Sequence, residues 1–466
     1  MMADLVTLAL KRAYYPALDR AKATPFAARF AEACANEKRS PEALLAISRG
    51  HLRDMLCRAE NTVPYYRRTF AAKGVRAADV RDERDLASFP ILDKGEVFEH
   101  KRELQCTAYR GKLVTGTTSG STGIAMTFHY DPGHHAWVDA VQWRGRAWWG
   151  LERGDPCIVL WSRPVAGASA RWRIVLKHRL RNAVQFDTFQ EMDARMVDEI
   201  LAAFERSRPR FVYGYGSSLG QLGHAMRERG LTVSAAARPA MIEYTADHMY
   251  ATEREVLAAQ VGAPVLSAYG SSECGGVAQQ CREGRLHIAI DHTIAEFVRD
   301  DGTIADPDEV AHIVLTQLHN RAMPLVRFRV GDLGSYSLAP CPCGSPLPVM
   351  NLAVAKIVDL IDTSFKKNVS AHVLDYINLH LMKVGIRGVR QFFVEQRGRD
   401  DFRLDLVKDA VFEEAAPATF VAKMREYLGD GITVDVRYVD AIPLQSTGKR
   451  RYFARALALD ERSKGD

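Results

Sequence analysis

Val114-Thr115-Gly116-Thr117-Thr118-Ser119-Gly120-Ser121-Thr122-Gly123 sets hydroxyls at Thr117, Thr118, Ser119, Ser121 and Thr122 among three glycines. Glycine takes positive φ without a Cβ clash. A loop of this kind can turn successive backbone N–H groups toward one point and form an anion nest. The hydroxyls add donors and can approach a metal-bound phosphate. Leu113 precedes the loop; beyond it Ala125, Thr127 and His129 alternate with Met126, Phe128 and Tyr130. The alternation predicts strand, phosphate loop, strand. A Walker loop needs Lys-Ser/Thr after its second glycine and then a helix. No lysine follows Gly123 and the next segment reads as a strand, so a P-loop NTPase is disfavoured. Taken alone, the ten residues would equally suit a polar surface turn, and the rest of the chain has to decide.

Further along, Met192 to Arg206 carries an apolar stripe of Met192, Met196, Val197, Ile200, Leu201 and Phe204 at helical spacing, and Pro209 follows it. Phe211-Val212-Tyr213-Gly214-Tyr215-Gly216-Ser217-Ser218-Leu219 then runs strand to loop to helix. Strand and helix patterns alternate through Leu266, which predicts α/β layering on a largely parallel sheet. In such sheets ligands lie beyond the carboxyl ends of the strands. Val265-Leu266-Ser267-Ala268-Tyr269-Gly270-Ser271-Ser272-Glu273 delivers an aromatic ring, a glycine, two hydroxyls and a carboxylate into a loop. A ring can stack on a base, and a carboxylate with a hydroxyl can hold a phosphate and Mg²⁺, a cation that prefers oxygen ligands. Met323-Pro324-Leu325-Val326-Arg327-Phe328-Arg329-Val330-Gly331-Asp332 reads as a strand ending in a carboxylate, which can accept hydrogen bonds from two ribose hydroxyls.

In this order, Thr117 to Gly123, Tyr269 to Glu273 and Arg329 to Asp332 resemble the motifs of the adenylate-forming (AMP-forming) ligases. That superfamily holds acyl-CoA synthetases, peptide-synthetase adenylation domains and luciferases. Asn61-Thr62-Val63-Pro64-Tyr65-Tyr66-Arg67 and Phe89-Pro90-Ile91-Leu92-Asp93-Lys94 resemble N-terminal signatures of its phenylacetate–CoA ligase/CapK branch. The resemblance covers nearly the whole chain. It implies an α/β fold: a large N-terminal adenylate-forming domain with layered mixed and parallel sheets over 1–357, and a small mobile α+β C-terminal domain over 358–466. It also implies that Thr117, Thr118, Ser119, Gly120, Ser121, Thr122 and Gly123 hold phosphates. Tyr269 would stack on adenine beside Gly270 and Ser271, Ser272 would face the α-phosphate, and Glu273 would bind Mg²⁺. Asp332 would hold the ribose, with Arg329 in the same motif. Tyr213, Tyr215, Gly216, Glu243 and Tyr244 become candidates for the acyl pocket.

Two departures are visible. Many relatives carry a lysine soon after the phosphate loop, where this chain has Gly123-Ile124-Ala125-Met126. The hinge, usually Gly-Arg-x-Asp-Asp, is Ala355-Lys356-Ile357-Val358-Asp359-Leu360 here, so Lys356 replaces an arginine's bidentate fork with a point charge. Asp359 remains the expected pivot. Past the hinge, Val389 to Glu395, Phe402 to Val407 and Ile432 to Tyr438 alternate as half-buried strands. Val373 to Leu381 and Phe420 to Leu428 read as helices. The tail Ile442-Pro443-Leu444-Gln445-Ser446-Thr447-Gly448-Lys449-Arg450-Arg451 ends in the Ser/Thr-Gly-Lys that by resemblance makes Lys449 the catalytic lysine. An ammonium there can clamp a carboxylate against the α-phosphate and stabilise developing charge.

Eight cysteines are scattered through the chain. Cys281, His287, Cys341 and Cys343 could complete a closed Cys₃His zinc tetrahedron, with His292 and Cys274 as substitute ligands; reduced buried thiols are the plain alternative. Some relatives in the CapK branch carry a cysteine-rich zinc knot here, which favours structural zinc. The aromatic run from His134 to Trp149 suits either the core or a pocket wall. Ala170 to Arg181 is a basic amphipathic stretch, read as a solvated face.

The composition is that of a globular protein, with 47% hydrophobic and 26% charged residues. No apolar run reaches a membrane-spanning length, and Met1 to Lys11 lacks a secretory pattern, so the cytoplasm is expected. The net charge of +6 is too mild and dispersed to argue for nucleic acid. The activity implied is ATP-dependent conversion of a carboxylic acid, hinted by the aromatic content to be aryl or arylacetic, into an acyl-adenylate and then a CoA thioester. Transfer to a carrier-protein thiol or an amine is the alternative within the enzyme class. A degenerate, zinc-stabilised binding protein is the alternative outside it. Association with a second copy is left open.

Overall fold

The computed structural model of the 466-residue chain describes residues 2–118, 126–161, 178, 180–186, 188, 192–246, 248–354, 360–366, 369–371, 373–374, 377, 380–381, 384, 386, 389–408, 412–442 and 452–456. The phosphate-loop segment 119–125, the hinge 355–359 and the tail 443–451 lie outside them, so Ser119, Gly120, Ser121, Thr122, Gly123, Lys356, Asp359 and Lys449 are not described. Thr117 and Thr118 are described as backbone only, and most of the basic stretch 170–181 is outside.

The N-terminal region is helical, with Leu44, Leu45, Ile47, Leu52, Met55 and Leu56 recurring at helical spacing. The helix Pro41–Thr62 starts where Ser40 accepts a hydrogen bond from the Ala43 amide. It turns Leu44, Leu52, Met55 and Leu56 into the main core. Strands follow in chain order: β1 (Val114–Thr118), β2 (Met126–Tyr130), β3 (Cys157–Leu160), β4 (Ala183–Phe186), β5 (Phe211–Tyr215), β6 (Met241–Thr245), β7 (Val265–Ser271), β8 (Gly275–Gln280), β9 (Leu286–Ile288), β10 (Thr293–Val298), β11 (Ala311–Gln317), β12 (Phe328–Ser337) and β13 (Val349–Val354). Then come β14 (Leu360–Ile361), β15 (Val369–Ser370), β16 (Val389–Gln396), β17 (Asp401–Lys408), β18 (Thr433–Tyr438) and β19 (Phe453–Arg455).

β1 and β2 form an antiparallel pair with Thr118 opposite Met126, the two flanking strands expected, with Thr117 and Thr118 in β1 instead of in the loop. Strands β3 to β13 make one sheet in the order β10-β11-β12-β13-β9-β8-β7-β6-β5-β3-β4. The expected parallel character holds for only part of it. β4, β3, β5, β6 and β7 run parallel, while β8 to β13 are antiparallel. Helices Ala194–Ser207, Gly216–Glu228 and Ala251–Val261 supply the crossovers that parallel pairing requires. The first is capped by Asp193, which accepts from the Met196 amide, and buries Val197, Ile200 and Phe204 as its stripe predicts. β7 pairs parallel with β6 and antiparallel with β8, so the sheet changes sense where Tyr269 to Glu273 leave it.

A smaller sheet, β18-β17-β16-β19, packs the helix Ala415–Leu428 around Phe392, Phe402, Phe420 and Met424. Its strands match the predicted spans to within a residue or two. Tyr452 reaches from this unit to the large one: its hydroxyl donates to Glu253, and its ring packs edge-on against Tyr250 at 4.5 Å. Among the described residues no helix is long and apolar enough to cross a membrane.

Candidate active site

Tyr269 sits at the end of β7, and its hydroxyl donates to Asp332 Oδ2 at 3.0 Å. Two motifs 63 residues apart therefore meet at one point. Burial and the Asp332 carboxylate hold the Tyr269 phenol well above its ordinary pKa, so it stays a donor. Gly270 is required by close packing: a Cβ there would lie 2.4 Å from the carbonyl oxygen of Gly275. The chain then turns, with the Cys274 amide donating to Ser271 Oγ at 3.0 Å, leaving Ser272 exposed and Glu273 buried.

The Glu273 turn is braced from behind by Gln317 and Asn320, which sequence reasoning missed, and by His292, which it offered only as a substitute zinc ligand. Gln317, at the end of β11, donates to the Glu273 carbonyl at 2.8 Å. His292 Nε2 lies 3.4 Å from the Cys274 carbonyl. Asn320 donates to Gln317 Oε1 at 3.1 Å and to the carbonyl of His129 in β2 at 3.1 Å. One polar chain thus ties the β1–β2 hairpin to the Glu273 turn. The signal available was weak: polar residues just beyond a buried strand need partners, but nothing local names them.

β12 is set by the segment Phe89 to Lys94. The Leu92 amide donates to the Arg327 carbonyl, and the Arg329 amide to the Leu92 carbonyl, at 2.9 and 3.0 Å. Arg327, at φ +50°, turns its buried guanidinium onto Glu296 and onto the Phe89 carbonyl. Burial pushes the Glu296 carboxyl up to about 6 against the pull of Arg327. Arg329 extends toward Asp93, 3.7 Å away. A Cβ on Gly331 would lie 3.9 Å from Lys94 Nζ, so this ammonium reaches the Gly331–Asp332 turn.

The acyl-pocket candidates divide. Tyr213, Tyr215 and Glu243 share one face of the parallel strands. Trp161 stacks on Tyr213 at 5.2 Å and on Tyr215 at 4.1 Å, while Gly216 begins a helix. Tyr244 points to the opposite face, into the core around Ile158, Leu160 and Val212. Glu243 is engaged in a bidentate ion pair with Arg146, at 2.7 and 3.1 Å. The aromatic helix Pro132–Ala147 mostly serves packing: Trp137 stacks on His319 at 4.3 Å, and Trp143 meets Phe211 edge-on.

Cys281, His287, Cys341 and Cys343 converge, their ligand atoms all within 4.8 Å of one another. The Cys281 and Cys341 sulfurs are 3.7 Å apart, and Cys343 Sγ is 3.3 Å from His287 Nε2. A tetrahedral zinc with ordinary bond lengths spaces its ligands by about 3.8 Å for S···S and about 3.5 Å for S···N. His287 Nδ1 lies 2.9 Å from the Leu347 carbonyl, which fixes the ring with Nε2 toward the thiols. The donor set fits the ion. The substitutes, Cys274 and His292, are paired with each other's neighbourhood behind Glu273 instead.

No family model matches the chain. It is similar to phenylacetate-coenzyme A ligase of Aromatoleum evansii, 25% identical over 307 residues covering 64% of this chain and 67% of that one. It is also similar to protein CapK of Staphylococcus aureus, 19% identical over 382 residues, 79% and 80% of the two chains. Among solved structures, 2-hydroxyisobutyryl-CoA ligase in the postadenylation state with R3-HIB-AMP matches at TM-score 0.72 over 91% of each chain, with 15% identity. The fold is that of this 2-hydroxyisobutyryl-CoA ligase.

Proposed function

We propose that this chain is an AMP-forming acid–CoA ligase. The observation that carries the reading is the meeting of Tyr269 and Asp332 beside the braced Glu273 turn. An adenosine would lie there, its base against the Tyr269 ring and its ribose hydroxyls on Asp332, which would exchange one hydrogen bond for others. The 117–123 loop would hold the phosphates. In the first half-reaction a carboxylate oxygen attacks the α-phosphorus of ATP; the new P–O bond forms as the bond to pyrophosphate breaks. Lys449 would orient the attacking carboxylate and stabilise the growing charge. In the second, the CoA thiolate attacks the acyl carbon and AMP leaves with the electron pair.

Glu273 supplies a carboxylate for Mg²⁺, which would neutralise phosphate charge when bound. The Cys281, His287, Cys341 and Cys343 set would hold a structural zinc with every coordination position filled by protein. Residues 358–466 would act as a lid that pivots near Asp359, removing Lys449 so that the thiol can enter; Lys356 would contact the nucleotide from the hinge. The stacked Trp161, Tyr213 and Tyr215 rings favour an aryl or arylacetic acid.

Pyrophosphate exchange into ATP, run across a panel of aryl, arylacetic and short aliphatic acids, tests the reading. Exchange with at least one acid, lost in Lys449→Ala, and AMP release that requires CoA are expected. Exchange with no acid would refute adenylation, and AMP release with other thiols or amines in place of CoA would refute the acceptor.

A further inference from the structure

Arg327 is held at φ +50° and is only 1% exposed. Residues other than glycine seldom occupy that region, and such strain persists only where surrounding contacts over-determine it. The contacts that hold Arg327 are specific. Its Nε donates to Glu296 Oε2 at 3.1 Å, and its Nη2 lies 2.9 Å from Glu296 Oε1. Its Nη1 donates to the Phe89 and Ala87 carbonyls at 2.6 and 3.3 Å. Its backbone amide donates to Thr316 Oγ1 at 3.0 Å, and its carbonyl accepts from the Leu92 amide at 2.9 Å. One residue thus joins β10, β11 and the segment 87–92 at the start of β12.

Just beyond Arg327, β12 leaves its ladder. Arg329 lies opposite Val314 and Leu333 opposite His312, so Val330, Gly331 and Asp332 face Ile313 alone. Bulges re-aim side chains. This one, with Gly331 at φ +90°, carries Asp332 to the Tyr269 hydroxyl. The direction of the bulge depends on the strand that enters it, and that strand enters through Arg327.

A buried ion pair is weak evidence for stability, because desolvation offsets the attraction and apolar residues of similar size often replace the pair without loss. What an apolar pair lacks is direction. A guanidinium presents its donors in a rigid planar fork, and here the fork and the Nη1 atom fix three acceptors at once. We propose that Arg327, held by Glu296, is a positioning residue for the nucleotide's ribose: it sets the entry of β12 so that the bulge presents the Asp332 carboxylate to both ribose hydroxyls. Arg327 is buried and acts through Asp332. The inference rests on the nucleotide reading of the Tyr269–Asp332 crevice and deepens it.

Calorimetric titration of the full chain with AMP and with 2′,3′-dideoxy-AMP tests this, since only AMP offers hydroxyls to Asp332. The parent should bind AMP about tenfold or more tighter than the dideoxy analogue, because hydrogen bonds to a charged group are the stronger kind. Arg327→Met/Glu296→Leu should keep a thermal midpoint near the parent's. Its AMP affinity should fall about tenfold, to the level of the analogue, while the analogue binds within about twofold of its parent affinity. Arg327→Lys keeps the charge but lacks the fork; it should show the same selective loss, and it decides the matter if the double variant does not fold. A variant that still prefers AMP as the parent does would overturn the positioning role and leave the nucleotide reading intact. Equal losses for both nucleotides would overturn it as well, by reducing Arg327 to general support of the fold. A parent that binds the two nucleotides alike would refute the ribose role of Asp332, and the inference with it.

Discussion

Glu243 offers the sharpest test, since sequence position makes it a pocket residue and the structure makes it half of an ion pair. Arg146 and Glu243 are 7% and 3% exposed and joined by two hydrogen bonds at 3.1 and 2.7 Å. The Arg146 guanidinium also lies over Trp143, Phe211 and Tyr213, at 4.9, 5.3 and 5.1 Å from the ring centres. Burial works against the Arg146 charge, but the Glu243 carboxylate more than compensates and raises its pKa. Removing one partner of such a pair leaves a buried charge uncompensated and destabilises by about 3–5 kcal/mol, whereas replacing both with apolar residues is close to neutral. Glu243→Gln and Arg146→Met should each lower the thermal midpoint by roughly 6–20 °C, taking a cooperative unit of about 150–250 residues. Arg146→Met/Glu243→Leu should recover most of that loss. Thermal unfolding followed by tryptophan fluorescence reads the stabilities, and the acid panel reads selectivity. If Glu243→Gln melts like the parent and instead changes which acids are activated, Glu243 faces the acid and the pairing argument fails. Fully additive losses in the double variant would sink it as well.

Metal analysis of purified protein should find about one zinc per chain; Cys343→Ser, or a strong chelator, should remove it and lower the thermal midpoint, and a full metal content in Cys343→Ser would contradict the ligand set. Tyr452→Phe removes the hydroxyl bonded to Glu253, three residues beyond Lys449. It should slow acid-dependent pyrophosphate exchange about tenfold while sparing thioester formation from preformed acyl-adenylate; equal losses in both halves would show that Tyr452 does not position the tail for adenylation. His134 and His292 are buried, and burial pushes both imidazoles down to about 3. Their folded pKa values lie below the unfolded value of about 6.5, so their stabilising contribution is complete above that pH. It is lost as pH falls from about 6.5 toward 3, at up to about 1.4 kcal/mol per unit for each histidine. A thermal midpoint that stays flat down to pH 4.5 would contradict their burial as neutral rings.

What the sequence disclosed and what it hid follow a physical division. Periodicity and turn chemistry report which face of an element is buried. That is why β16, β17 and β18, the Ala194–Ser207 helix and the β1–β2 hairpin were legible from alternation and stripes alone. Side chains with few compatible partners were legible too: three thiols and an imidazole at 281, 287, 341 and 343 share little besides a metal, and they converge. Which polar group meets which is a tertiary question. Glu243 finds Arg146 across 97 residues, and Gln317 finds the Glu273 carbonyl across 44. Neither spacing carries a period.

The same division explains the two ways in which the site departs from its motifs. Consecutive residues of a strand point to opposite faces, so Glu243 and Tyr244 could not both line one pocket, and the structure sends Tyr244 into the core. That much was available from the alternation of Met241 to Thr245. The brace behind Glu273 was not, because a carboxylate turn needs no particular sequence behind it, only donors at the right height. Gln317, Asn320 and His292 supply these from β11, its following loop and the approach to β10. A turn held at its carbonyls leaves its carboxylate free to point forward. The motif names the group that faces the nucleotide; the unassigned polar residues behind it determine how firmly that group is aimed.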